Sequence, residues 1–281
     1  MKRTALRVAS ALLTFIFGTT TSTVLQQYRI LQSPPPITTS KPPVTEPAAT
    51  PIIPEPPVPA RDTEIKLRGG LKLVSNEVQL KNEILRYKVN LIYPQIEGTD
   101  ELTIRKLNKH IEQLVEKDYQ WMPNPLKEDL RYYKINHPEV FNSVYLDYEV
   151  ILATDTFLSI YFEGFRYGIS AAHSVQYSFV INYDLASYRI LKLSDVFKPG
   201  SKYLEFISEY CIEQLSRGGD GGQLWKDELA PVAKNFESWN MTNNGIKFNF
   251  DACKVFGCSA GQQTVEIPFT ALKHTRRNYG D

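Results

Sequence analysis

Apolar side chains at every second position constrain the fold of this 281-residue chain more than any other feature. Side chains on a β-strand point alternately to its two faces, so strict alternation predicts a strand with one buried face. Such alternation is typical of antiparallel sheets. The pattern predicts six strands, at residues 85–93, 144–152, 158–162, 175–183, 246–250 and 265–269. The polar break at residues 154–156 is short enough to join the second and third strands as a hairpin.

Other segments have the period of an α-helix. Apolar residues three or four positions apart at 104–119 predict one helix that starts near Thr99 or Asp100. The same spacing at 204–215 predicts a second helix that ends at the Gly218-Gly219 pair. A shorter third helix is predicted around residues 224–236, interrupted by Pro231. Because strands are grouped with interspersed helices and show no regular βαβ alternation, we expect an α+β fold, with antiparallel sheet and helices packed on one face.

The N-terminus has the features of an export segment. Lys2, Arg3 and Arg7 precede an apolar run at residues 8–25. Basic residues keep the start of such a run on the cytoplasmic side, so the rest of the chain is translocated. Residues 1–27 are predicted to be a signal peptide or an uncleaved signal anchor. The run approaches the roughly 20 residues needed to cross a bilayer, and no typical cleavage site follows it.

Residues 28–61 are predicted to form a disordered, proline-rich linker. Eleven of the 18 prolines lie between Pro34 and Pro59, and proline lacks the amide donor that helices and sheets require. The rest of the chain carries 26 basic and 29 acidic side chains. A slightly acidic body without clustered lysine and arginine is not expected to bind nucleic acid.

Two of the three cysteines, Cys253 and Cys258, are close in sequence. In an oxidising compartment this pair predicts a disulfide that closes a small loop. Metal binding is a weaker alternative, because zinc takes four ligands and no second histidine or cysteine pair of suitable spacing accompanies these two. Cys211 occupies an apolar position of a predicted helix, so we expect it to pack in the core.

Two regions resemble known domains. Residues 87–96, YKVNLIYPQI, resemble the start of domain of unknown function 4163. Residues 182–197, with residues 241–250 and the segment VEIPF at 265–269, resemble domain of unknown function 3298. This pair is similar to the extracellular part of RsiV-like anti-sigma factors, which bind lysozyme, and the first domain also precedes peptidoglycan deacetylase modules.

The resemblance implies two consecutive α+β modules, at residues 62–172 and 173–273, followed by a C-terminal tail at residues 274–281. Only seven residues precede the apolar run, and the chain ends soon after the second module. We therefore expect neither the segment that binds a sigma factor nor the catalytic domain of a deacetylase.

Aromatic side chains are the main candidates for ligand contact. Tyr161, Phe165 and Tyr167 cluster with Phe162 within seven residues. Tyrosine combines apolar area with a polar tip and is frequent in protein and sugar recognition, although most aromatics are expected in the core. His173 lies in a turn of small residues. We expect a buried imidazole that bonds to backbone carbonyls, or else a ligand contact.

The sequence contains no recognisable catalytic constellation. Its four histidines lack the spacing of a metalloenzyme or of a nucleophile and its base, so no catalytic residue, metal or cofactor is predicted. Glu163 with Asp147, Glu149 or Asp155 has the chemistry of a glycosidase pair, which requires carboxyl groups about 5 to 9 Å apart.

Together these features predict an exported, membrane-tethered envelope protein in the periplasm or at the cell surface, which binds rather than catalyses. The resemblance implies a lysozyme-like protein or a peptidoglycan fragment as its partner, contacted by the loops around residues 162–173 and 253–258. A cell-wall glycan hydrolase and a purely structural envelope protein are the alternatives.

Overall fold

The computed structural model describes residues 64–98, 101–120, 127–169, 171–218 and 222–277. The export segment and the proline-rich linker predicted from the sequence lie outside these residues. Within the described ranges, no helix is both long and apolar enough to cross a membrane.

Within these residues, seven strands form one large sheet in chain order. They are β1 (Glu64–Lys66), β2 (Lys72–Asn82), β3 (Tyr87–Glu97), β4 (Asn142–Ala153), β5 (Phe157–Tyr167), β6 (Val175–Asp184) and β7 (Arg189–Ile190). All neighbours pair antiparallel except β3 and β4, which are parallel. Four predicted strands correspond to β3 to β6, and the predicted hairpin joins β4 to β5. The expected module boundary at residues 172 and 173 falls in the connection between β5 and β6, which are neighbours in this sheet.

Two helices connect the parallel strands, since parallel neighbours need a crossover rather than a tight turn. They are α1 (Leu102–Gln120) and α2 (Lys127–Asn136). The apolar stripe of α1 confirms the first predicted helix: Ile104, Leu107 and Ile111 are at most 2% exposed and pack in one core with the large sheet. The sequence did not predict α2, because its apolar residues Tyr132 and Ile135 are exposed and form no core-facing stripe.

The remaining elements form a second core. They are α3 (Leu193–Val196), α4 (Tyr203–Arg217), the three-stranded antiparallel sheet of β8 (Trp239–Met241), β9 (Gly245–Phe250) and β10 (Gln263–Pro268), and α5 (Phe269–Leu272). The helix α4 and strands β9 and β10 confirm their predictions, and Cys211 is fully buried. The third predicted helix is wrong as an α-helix. Two 3₁₀ helices, Lys226–Leu229 and Ala233–Phe236, lie on either side of Pro231, whose missing amide prevents one continuous helix.

Candidate functional site

Odd-numbered side chains of β5 point away from α1, because successive side chains of a strand alternate between its faces. Ser159 and Tyr161 are covered on this side by the small sheet and its connections, through hydrogen bonds to Asn240 and Gln262. Glu163, Phe165 and Tyr167 continue the same side and are only half-buried. The small sheet therefore leaves part of the large sheet accessible.

Cross-strand pairing places two kinds of side chain together on this accessible part. In the β4–β5 register Tyr145 is opposite Phe165, with ring centroids 6.4 Å apart, and Asp147 is opposite Glu163. Residues directly opposite each other have Cβ atoms about 4.5 to 5.5 Å apart. An aromatic pair thus lies beside a carboxylate pair. We call this surface the β4–β6 face and define it by the side chains of Tyr145, Asp147, Glu163, Phe165, Gln176 and Ser178.

Neighbouring polar groups hold these carboxylates in position. The side-chain amide of Gln176 donates a hydrogen bond to Glu163. The amide N–H of Tyr148 donates to Asp147 at 2.8 Å, and the Tyr145 hydroxyl lies 3.4 Å from the same carboxylate. The structure therefore selects Asp147 as the direct neighbour of Glu163 among the carboxylates considered from the sequence.

A third carboxylate reaches this face from the small sheet. Asp251, which follows β9, accepts hydrogen bonds from the hydroxyl of Ser178 at 2.5 Å and from its amide at 3.2 Å. Ser178 is opposite Glu163 in the β5–β6 register. Burial raises the pKa of the Tyr161 hydroxyl, and the negative charges of Glu163 and Asp251 raise it further. This tyrosine therefore stays neutral at physiological pH.

The loop after Asp251 contains the disulfide. Cys253 and Cys258 are bonded to each other, in agreement with the pairing predicted from the sequence. Val255 inside the loop is buried in the second core, and its carbonyl oxygen accepts a hydrogen bond from the amide of Trp225 at 2.8 Å. The loop is thus anchored by its apolar centre, while both cysteines are exposed.

The four predicted contact residues have different environments. Tyr161 is 9% exposed, so little of its ring is accessible, whereas Phe165 and Tyr167 are half-buried on the same side of β5. Burial raises the pKa of Tyr167. His173 is exposed in the β5–β6 connection, with Nδ1 3.0 Å from the carbonyl oxygen of Ser174. The expectation of a buried imidazole is wrong, because the neighbouring small residues Ala171 and Ala172 are themselves exposed and do not cover the ring.

Four members of this surface were not predicted from the sequence: Tyr145, Gln176, Ser178 and Asp251. The alternation in β4 did contain a signal for Tyr145, since it shares its phase with Asp147. The contribution of Asp251 depends on how the two sheets pack, which no local pattern encodes. Among the described side chains, no group of three or more His, Cys, Asp or Glu is arranged to hold a metal ion. What the face offers is aromatic surface for stacking, with carboxylate and amide groups for hydrogen bonding.

Comparison with known proteins assigns the C-terminal part of the chain. Residues 194–270 match the family model described as "Protein of unknown function (DUF3298)". This segment is a DUF3298 domain. The domain contains α4, the small sheet and the disulfide loop, so it supplies Asp251 to the β4–β6 face. Strands β4 to β6 precede it in the chain.

Two solved structures resemble this chain. A DUF3298 family member from Bacteroides fragilis has a TM-score of 0.55 and 18% sequence identity, covering 76% of this chain and 96% of its own. A DUF3298 family protein from Pseudomonas aeruginosa has a TM-score of 0.49 and 18% identity, covering 74% of this chain and 94% of its own. The first of these likenesses extends the shared fold well beyond the DUF3298 domain.

One curated relative is an enzyme. The peptidoglycan-N-acetylmuramic acid deacetylase PdaC of Bacillus subtilis is 26% identical over 140 residues. The match covers 49% of this chain but only 30% of the enzyme, so most of PdaC has no counterpart in the aligned region.

Proposed function

We propose that this chain is an exported binding module of the cell envelope, tethered to the membrane through residues 1–27, without catalysis of its own. Its ligand is a peptidoglycan-derived glycan, held on the β4–β6 face. The observation that carries this proposal is the aromatic pair Tyr145 and Phe165 beside the carboxylate pair Asp147 and Glu163. Sugar rings present apolar C–H surfaces that pack on aromatic rings, while their hydroxyl and amide groups donate hydrogen bonds to carboxylates.

Two further observations support a glycan ligand. PdaC is named for an activity on peptidoglycan, and the region it shares with this chain is a minor part of its length, as expected for a module that accompanies catalysis. The resemblance of residues 87–96 to domain of unknown function 4163, which precedes deacetylase modules, is consistent with this. The basic and apolar N-terminal pattern supports an extracytoplasmic location, where peptidoglycan is accessible.

The test is binding of the full chain to purified peptidoglycan sacculi, followed by calorimetric titration with soluble muropeptides. Asp147→Asn should weaken binding by about tenfold or more, since hydrogen bonds to charged groups contribute roughly 1.5 to 3 kcal/mol. Phe165→Ala should also weaken binding, because it removes the aromatic ring on which a sugar ring packs. Tyr132→Ala is the matched control, because this tyrosine is exposed on α2, outside the face. Unchanged affinity in both face variants would remove the proposed site. Retention of lysozyme in place of glycan would favour the protein partner implied by the RsiV-like resemblance.

The carboxylate pair itself favours a second candidate, a glycan hydrolase. Retaining glycosidases hold their two carboxyl groups about 5 to 5.5 Å apart, which is compatible with the cross-strand positions of Asp147 and Glu163. The distinguishing measurement is release of new reducing ends from sacculi incubated with the chain. The binding proposal expects none. Release that disappears in both Asp147→Asn and Glu163→Gln would establish hydrolysis instead.

A further inference from the structure

The end of the large sheet that carries the turn between β2 and β3 has an unusual share of exposed apolar side chains. Eleven large apolar side chains are exposed among the described residues. Six of them lie at this end: Leu80, Ile84, Leu85, Tyr132, Ile135 and Val175. Ile84 is 80% exposed and Ile135 is 68% exposed, so these are not marginal cases.

The sheet register explains why they meet at one end. Leu80 in β2 and Val175 in β6 belong to the same transverse row, which runs through β3, β4 and Arg166 of β5. The turn that contains Ile84 and Leu85 lies just beyond this row. This turn projects from the end of the sheet at which β4 also begins.

The end of α2 is joined to the same turn. The buried guanidinium of Arg86 donates hydrogen bonds to the carbonyl oxygens of His137 and Pro138, each at 3.0 Å, and to that of Val140. These three residues connect α2 to β4. Arg86 therefore fixes the connection that follows α2 next to the Ile84 turn.

Basic side chains are interspersed with the apolar ones. Lys81, Arg86 and Lys88 surround the ring of Phe141, with their cationic groups 4.5 to 5.1 Å from its centroid. Arg131 and Lys134 are exposed on α2. Arg86 is buried and does not contribute to the charge of the surface. The acidic side chains described at this end are Glu83 and Glu139, so the four accessible basic groups, those of Lys81, Lys88, Arg131 and Lys134, outnumber them. We call this surface the basic–apolar end.

This combination has the chemistry of a surface that binds a lipid bilayer. Apolar side chains at a membrane interface enter the boundary between headgroups and acyl chains, while lysine and arginine reach the lipid phosphates. A rigid protein partner favours a contiguous, closely packed apolar patch with charges kept to its rim. Here the apolar groups instead occupy a turn, a helix end and a strand end, separated by cations. A fluid surface can adapt to such separate projections.

We propose that the basic–apolar end docks on an anionic lipid surface, with Ile84 and Leu85 entering the headgroup region. This interaction goes beyond the proposed glycan binding and uses residues outside the β4–β6 face. It gives the folded body a second membrane contact in addition to the N-terminal tether.

A local probe is needed, because the apolar N-terminal run of the full chain would itself bind vesicles. Ile84→Cys, labelled with the polarity-sensitive dye NBD, introduces a reactive thiol into a protein whose other cysteines are buried or disulfide-bonded. With vesicles of phosphatidylglycerol and phosphatidylcholine, its emission should shift to the blue. The matched control is the same label at Val232→Cys, between the two 3₁₀ helices. The native valine is 51% exposed there, and the label should show no shift.

Two further arms test the chemistry of the contact. A label at Ile135→Cys should also shift with anionic vesicles, and adding Leu85→Asp should abolish that shift. Vesicles of phosphatidylcholine alone should give no shift, and added salt should reduce the shift seen with anionic vesicles. An unchanged Ile84 label with anionic vesicles would overturn the proposal. So would an equal shift with neutral vesicles, or a concentration-dependent shift without vesicles, which would indicate a second copy of the chain.

Discussion

The side-chain amide of Asn240 in the small sheet donates a hydrogen bond to the hydroxyl of Ser159 in the large sheet at 2.9 Å, and both residues are fully buried. Ser159 donates in turn to Asn182 at 2.7 Å, and Asn249 donates to Asn240 at 2.9 Å. Four buried polar side chains from two sheets thus satisfy one another. This hydrogen-bond network fixes the position of the small sheet, and with it the distance of Asp251 from the β4–β6 face.

Replacing Asn240 should therefore destabilise the whole body. Asn240→Ala leaves Ser159 and Asn249 without this buried partner, and unsatisfied buried groups cost about 1 to 3 kcal/mol each. We expect a loss of roughly 3 kcal/mol in the free energy of unfolding. Urea titration followed by the fluorescence of the adjacent, buried Trp239 measures it. Asn243→Ala, at an exposed turn position, should change stability by less than about 0.5 kcal/mol. Equal stabilities of the two variants would contradict the role of this network.

Much of the fold follows from local patterns in the sequence. Strict alternation predicted β3 to β6, β9 and β10, and the apolar stripe of Ile104, Leu107 and Ile111 predicted α1. The stripe in α4 likewise placed Cys211 in the core. These predictions succeed because each depends on one face of one element being buried.

The candidate site could not be predicted in the same way. Alternation placed Asp147 and Glu163 on the outer faces of their strands, but only the β4–β5 register makes them neighbours, in preference to Glu149 or Asp155. Asp251 joins them through packing of one sheet on the other. The exposure of His173 is equally non-local, because it depends on what fails to cover the β5–β6 connection.

A larger residue at Gly164 should destabilise the fold while Tyr177 is present. A Cβ atom at position 164 would overlap the ring of Tyr177, its cross-strand partner in β6. The guanidinium of Arg166 also lies near this ring, 4.0 Å from the ring centroid. Gly164→Ala should lower the free energy of unfolding by about 1 to 3 kcal/mol, as overpacking does. In a Tyr177→Ala background the same change should cost less than about 0.5 kcal/mol. Urea denaturation of the parent protein, the two single variants and the double variant gives the coupling free energy between positions 164 and 177.

Gly257 supplies the control for that series. A Cβ atom there has no neighbour within 4 Å, and the backbone φ of −57° suits alanine. Gly257→Ala should leave stability unchanged or raise it slightly. Equal losses for the alanine substitutions at Gly164 and Gly257 would show that steric overlap with Tyr177 is not the cause.

The disulfide should stabilise the folded body modestly. Linking Cys253 to Cys258 closes a six-residue loop, for which the chain-entropy model gives about 2 kcal/mol. Reductant should lower the free energy of unfolding by roughly that amount. It should have no effect on the Cys253→Ser/Cys258→Ser double variant, which begins at the lower value. Mass measurement after alkylation checks the bond directly, and two free thiols at these positions in protein isolated from the envelope would disprove it.

Burial of Cys211 should make stability fall at alkaline pH. Desolvation raises the pKa of its thiol from an ordinary value of 9.0 to about 12. Above pH 9 the unfolded chain loses this proton while the folded protein keeps it. The thiol therefore makes its full contribution to the free energy of unfolding below pH 9, and this contribution declines between pH 9 and 12. The decline approaches about 1.4 kcal/mol per pH unit.

Cys211→Ala should be less stable at pH 7 yet show a shallower decline above pH 9 in urea titrations. Burial also raises the pKa of Tyr183 to about 12, but that tyrosine is present in both proteins and cancels in the comparison. Parallel pH profiles would mean that the thiol does not remain protonated in the fold.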